Sequence, residues 1–123
     1  MASENLNIVA IVDDDGDVRD VLDALLRTAG HAVKTYTSGR QFLADPELAD
    51  VAFLIVDQKM PEMTGLDLLS RLDSAGHTIP SVLITGLPEA SIADEARAHG
   101  AIAVLARPID WEKLLRLAAY TTQ

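Results

Sequence analysis

Leu54-Ile55-Val56-Asp57-Gln58-Lys59-Met60-Pro61 sets the plan of the chain. Apolar, largely β-branched residues run straight into a carboxylate, and a turn proline follows four positions after it. An unbroken apolar run of this kind predicts a strand buried on both faces in the middle of a sheet. Met60 to Gly65 then reads as a loop that leads into a helix. Asp57 therefore falls at the carboxyl end of a core strand, where open α/β sheets gather their ligand chemistry. A single aspartate there is by itself an ordinary loop opener. Its meaning depends on what the other strands end in.

Working outward, Asn7 to Val12 predicts a first buried strand, closed by Asp13-Asp14-Asp15. Gly16 and Asp17 open a helix with Val18, Val21, Leu22, Leu25 and Leu26 on one stripe, leaving Arg19, Asp20, Asp23 and Arg27 for solvent. Gly30 stops it. Ala32 to Thr37 predicts a second strand, and Ser38 with Gln41 has the spacing of a capping box for a short helix ending near Asp45-Pro46. The central strand runs from Val51 to Asp57, and Thr64 caps a helix carrying Leu68, Leu69 and Leu72 as far as Gly76. A fourth strand spans Ile79 to Thr85 and leaves through Gly86-Leu87-Pro88, followed by an alanine-rich helix from Glu89 to His99. Ile102 to Ala106 is the fifth strand, and Asp110 caps a last helix with Trp111, Leu114, Leu115, Ala118 and Ala119 on its stripe. Five strand–helix pairs predict a doubly wound α/β domain, a parallel sheet with helices on both faces.

The 123 residues suffice for one domain with a sound core, expected over 1–123. A net charge of −9, from 19 acidic and 10 basic residues, argues against direct binding to nucleic acid or anionic lipid. Few aromatics (Tyr36, Phe42, Phe53, Trp111, Tyr120) argue against a base-stacking platform. Without cysteine there is neither a disulfide nor a thiolate metal site. No secretory leader opens the chain and no apolar run is long enough to span a bilayer, so a cytoplasmic location is expected.

In the flavodoxin-like strand order 2-1-3-4-5 the first and third strands are neighbours at the switch point. That order brings Asp13, Asp14 and Asp57 together, and three crowded carboxylates call for a hard divalent cation, with Mg²⁺ the usual occupant. The competing reading of the aspartate run, helix N-terminal acids favoured by the macrodipole, suits Asp15 and Asp17 better than the pair before them. Thr85, Gly86 and Arg107 close the fourth and fifth strands on the far side. A hydroxyl, a cation and a small residue beside a metal-bound carboxylate are what an aspartyl phosphate requires.

These residues carry a resemblance. Ile11-Val12-Asp13-Asp14-Asp15, Val56-Asp57-Gln58-Lys59-Met60-Pro61-Glu62-Met63-Thr64-Gly65, Ile79-Pro80, Ile84-Thr85-Gly86 and Arg107-Pro108 resemble the receiver domain of bacterial two-component response regulators. The likeness covers Asn7 to about Leu117, and is closest to receivers that precede a DNA-binding output domain in nitrogen-fixation regulators. It implies Asp57 as phosphoacceptor, and Asp14, Asp57 and the backbone carbonyl of Lys59 around Mg²⁺, with Asp13 acting through a water. It further implies Thr85 as a switching hydroxyl, a cis peptide before Pro108, and a sensor histidine kinase or histidine phosphotransfer protein as donor. The output would be a downstream protein or domain absent from this chain.

Two positions depart from the family pattern. Arg107 replaces the usual lysine, keeping the charge but with a bulkier fork. Val104 stands where the family carries a Tyr or Phe that moves with the threonine, and a short side chain stiff at χ1 cannot report in that way. These departures motivate an alternative, a receiver-fold interaction module that works without phosphate. A phosphatase reading fails because Lys59 occupies the position of the second acid, and a flavin reading because the loop after the first strand is acidic. Leu87, two residues past Thr85, is expected to shield the phosphoryl group. His31, His77 and His99 are expected to face solvent, and Leu117 and Tyr120 to be fraying-end residues or a patch for a partner or a homodimer.

Overall fold

The computed structural model describes residues 8–87 and 89–122. The first residue expected in strand one, Asn7, and the exit residue Pro88 lie outside the described residues. In chain order the elements are β1 (Ile8–Val12), α1 (Gly16–Thr28), β2 (Ala32–Tyr36), α2 (Gly39–Leu43), a 3₁₀ turn (Leu48–Asp50), β3 (Val51–Asp57), α3 (Gly65–Ser74), β4 (Ser81–Thr85), α4 (Ala90–Ala98), β5 (Ala101–Ala106) and α5 (Trp111–Thr121). The strands form one sheet in the order β2-β1-β3-β4-β5, and every neighbouring pair is parallel.

Strand periodicity divides the core. Leu54 and Val56 of β3 join Ala10, Val12, Phe42, Leu68, Leu69 and Leu83 on one face. Phe53 and Ile55 join Val9, Ile11, Leu22, Leu26, Val82, Ile84, Leu114 and Ala118 on the other. β3 is thus the strand buried on both sides that its apolar run predicts.

Caps set the helix starts. The Asp15 side chain accepts from the amides of Asp17 and Val18, Asp110 from that of Lys113, and Thr64 with Asp67 forms a reciprocal capping box. Ser38 accepts from Gln41 N–H, but the Gln41 side chain reaches one residue further back, taking Thr37 N–H at 2.6 Å. That bond ends β2 at Tyr36. β4 begins at Ser81, two residues later than expected. Pro80 has no N–H to give, although its carbonyl still accepts from Leu54 N–H at 3.0 Å.

The helical stripes are narrower than their apolar spacing suggests. Val21 is 46% exposed and Trp111 38% exposed, while Leu22, Leu26, Leu114 and Ala118 fill the sheet side. Trp111 opens the first turn of α5, and Ile109 just before it packs against the core in its place. Leu117 packs against the same core face, whereas Tyr120 is 77% exposed.

The β3–α3 junction is tied at Gln58, whose carbonyl accepts from Gly65 N–H and whose side chain accepts from Leu66 N–H. A Cβ on Gly65 would lie 2.5 Å from Leu83 Cδ1 and 2.7 Å from the Asp57 carbonyl oxygen. Gly65→Ala should therefore lower stability by on the order of 2 kcal/mol, read as a fall in the urea midpoint at constant slope.

Candidate functional site

Register decides which strand ends meet. Val12 pairs with Val56, Asp57 with Ile84, and Thr85 with Ala106. The residues that follow these rungs, Asp13, Gly86 and Arg107, must emerge together beside Asp57. They line an open cleft of about 380 Å³ with Asp14, Asp15, Asp57 and Lys59. Asp13 and Asp57 are buried and Asp14 is exposed. One carboxylate oxygen from each of the three lies within 4.8 Å of the others.

Each buried carboxylate is anchored differently. Arg107 donates from Nη2 to Asp57 Oδ1, and the same nitrogen stands 3.8 Å from Asp13 Oδ2. Asp13 Oδ1 accepts from Asp15 N–H at 2.9 Å. Asp13 Oδ2 is buried and is the one such side-chain atom without a hydrogen-bond partner among the described residues. A buried oxygen of this kind is costly unless something outside the chain satisfies it. With two further carboxylates beside it, the donor set fits a hard, oxygen-seeking divalent ion. Asp15 lines the cleft too, but its carboxylate serves as the N-cap of α1 and is not one of the three clustered acids, in keeping with its helix-start reading.

Burial raises the Asp13 carboxyl from its ordinary 3.8 to about 6; the Asp15 N–H opposes this and the neighbouring Asp57 adds to it. The Asp57 carboxyl is also raised, chiefly by burial, with the hydrogen bond and charge of Arg107 pulling the other way. Desolvation outweighs the single cation.

Six of the seven site residues expected from sequence line this cleft: Asp13, Asp14, Asp57, Lys59, Gly86 and Arg107. Thr85 is buried at the end of β4 and lines a neighbouring groove, which shares Lys59 and Gly86 with the cleft. Its hydroxyl accepts from Leu87 N–H at 3.4 Å. Leu87 is 77% exposed on that groove. Val104 is half-buried against the core face shared by α2 and α3. The Arg107–Pro108 peptide is cis, as the resemblance implies.

Two expectations are corrected. His31, His77 and His99 are all half-buried rather than solvent-facing, and His99 Nδ1 lies 2.9 Å from Asp73 Oδ2 across α3 and α4. Helix packing brought together residues far apart in the chain. Arg19, assigned to the solvent face, turns back and donates from Nη1 to the Asp13 carbonyl at 2.7 Å. The readable signal is its place in the first turns of α1, because helical side chains lean toward the N-terminus.

An acid held above its unfolded value binds its proton on folding between the two values. Stability supplied by protonated Asp13 is therefore present at low pH and lost as pH rises through about 6. In metal-free buffer, Asp13→Asn should stabilise the chain by roughly 2 kcal/mol near pH 7, and the gain should vanish by about pH 4. Urea midpoints at the two pH values measure it.

Residues 9–119 match the family model described as the response regulator receiver domain. The chain is 34% identical over 113 residues to the response regulator protein TodT of Pseudomonas putida, covering 92% of this chain and 50% of the relative. It is 37% identical over 102 residues to the transcriptional regulatory protein FixJ of Rhizobium meliloti, covering 83% and 50%. The chain thus spans about half the length of these curated relatives. Among solved structures it is similar to FixJ-N, with 34% identity, a TM-score of 0.80 and coverage of 98% and 94%. The chemotaxis protein CheY4 of Vibrio cholerae aligns at 28% identity with a TM-score of 0.85, covering 95% and 99%. The cleft, the strand order and these likenesses agree: the chain belongs to the response regulator receiver domain family of two-component systems.

Proposed function

We propose that this chain is a phosphorylation-controlled switch in which Asp57 accepts a phosphoryl group. What carries the reading is the buried, unpartnered Asp13 Oδ2, set with Asp14 and Asp57 around a common point at the mouth of β1 and β3. A bound Mg²⁺ would neutralise the crowded carboxylates and the phosphoryl oxygens. Asp14, Asp57 and the carbonyl of Lys59 would hold it, with Asp13 in support through a water. An Asp57 oxygen attacks the phosphorus of a phosphohistidine in line; the new O–P bond forms as the P–N bond breaks, and the imidazole leaves and takes a proton.

Arg107 then exchanges its contact with Asp57 for the phosphoryl oxygens, to which its fork can donate twice. Gly86 offers open space beside its backbone, where an added Cβ would meet no atom within 4 Å. Thr85 supplies the hydroxyl that turns toward the phosphoryl group. Since Val104 has no ring to swing, the readout runs through the Thr85 hydroxyl and the groove shared by Gly86, Leu87 and Ile92.

The donor is a sensor histidine kinase or histidine phosphotransfer protein, and the chain is a phosphoacceptor rather than a turnover enzyme. The relatives are about twice its length and include a transcriptional regulator, which favours an output domain or a separate downstream protein as the recipient of the signal. No helix among the described residues is long and apolar enough to cross a membrane, which is compatible with a cytoplasmic role.

Incubation with acetyl phosphate should add one phosphoryl group, seen as intact mass, only when Mg²⁺ is present and not in Asp57→Asn. No gain in the unmodified chain would favour the phosphate-independent module, with Arg107 closed over Asp57.

A further inference from the structure

Asp13 is held at every polar atom but one. Its N–H donates to the Tyr36 carbonyl at 3.2 Å, its Oδ1 accepts from Asp15, and its carbonyl accepts from Arg19. The atom left over is the buried Oδ2 beside Arg107 and the other carboxylates. Arg19 provides the one charged hydrogen bond to the Asp13 backbone, from a different element than Asp13 itself. Its 2.7 Å charge-assisted bond stiffens the turn between β1 and α1 where both Asp13 and Asp14 sit.

We propose that Arg19 is a positioning residue for the divalent cation site: by clamping the Asp13 carbonyl it fixes the direction of the Asp13 and Asp14 carboxylates. This rests on the reading of the acidic cleft as a Mg²⁺ site. The idea has a sign that simple electrostatics lacks. Arg19 is a cation near the cluster, so through charge alone its removal would strengthen binding of another cation. Through positioning, its removal weakens binding, because a carboxylate freed to swing must be ordered again when the ion arrives.

The test is a Mg²⁺ titration of the full chain and of Arg19→Gln and Arg19→Lys, followed by amide NMR shifts of Asp14 and Asp15, with urea midpoints measured alongside. Glutamine and lysine both suit a helix, so the fold should survive. Arg19→Gln should bind Mg²⁺ about tenfold more weakly. Arg19→Lys keeps the charge but loses the fork, so it should also bind more weakly than the unmodified chain. Equal or tighter binding by Arg19→Gln, or unmodified affinity in Arg19→Lys with tighter binding in Arg19→Gln, would overturn the positioning role and leave the metal site standing. A lowered urea midpoint with unchanged Mg²⁺ affinity would mean a structural role alone, and also overturns it. If the unmodified chain gives no saturable response to Mg²⁺, the site reading and this inference fall together.

Discussion

The structure turns on charge crowding at one end of a buried sheet. Three carboxylates bring oxygens within 4.8 Å of one another, and two of the three side chains are buried. Repulsion and desolvation both oppose this, and each is strongest away from water. The register of β1 against β3 places these residues side by side, so the chain cannot relieve the strain by sliding them apart without unpairing its central strands. Relief comes through directed partners: Arg107 on Asp57, an amide on one oxygen of Asp13, and Arg19 on its carbonyl. One oxygen is left over. With two further carboxylates beside it, that oxygen belongs to a donor set able to bind a metal ion.

The scaffold tolerates this cluster because the rest of the sheet is so thoroughly apolar. β3 sends Leu54 and Val56 into one core and Phe53 and Ile55 into the other, and α1 and α3 each add buried leucines. Burial of these side chains at about 25 cal/mol per Å² offsets the cost of the charged rim. The same packing holds the rim rigid, since Gly65 lets α3 approach so closely that no Cβ fits between Leu83 and the Asp57 carbonyl. Core and site are therefore one mechanical unit.

Arg107 and Val104 give this receiver its own character. Arginine reaches both Asp57 and Asp13 from a single nitrogen, and its planar fork retains donors for a second acceptor. Val104 is half-buried against the core face that also holds Phe42, Leu68 and Leu83. The acids, the Thr85 hydroxyl and the Arg107 cation all stand at these strand ends, while position 104 carries no ring.

Much of this was legible in the chain alone, for a definite reason. Strand and helix periods, caps and glycine stops are local, so they predict elements to within one or two residues, and strand ends carry Asp13, Asp14, Asp57, Thr85 and Arg107 as a plain list of polar residues after apolar runs. A parallel sheet in the order 2-1-3-4-5 then brings those ends together. What only tertiary structure decided is where long or rotatable side chains go. Arg19 folds back from an apparently solvated face, the Thr85 hydroxyl accepts from the Leu87 amide, the Leu87 side chain stands out in solvent, and His99 finds Asp73 across two helices. Val21 and Trp111 show the same limit, since an apolar stripe is wider than the strip of sheet available to cover it. Spacing along the chain fixes the direction in which a Cα–Cβ bond points. The reach of a side chain beyond that bond is settled by neighbours that the folded chain alone supplies.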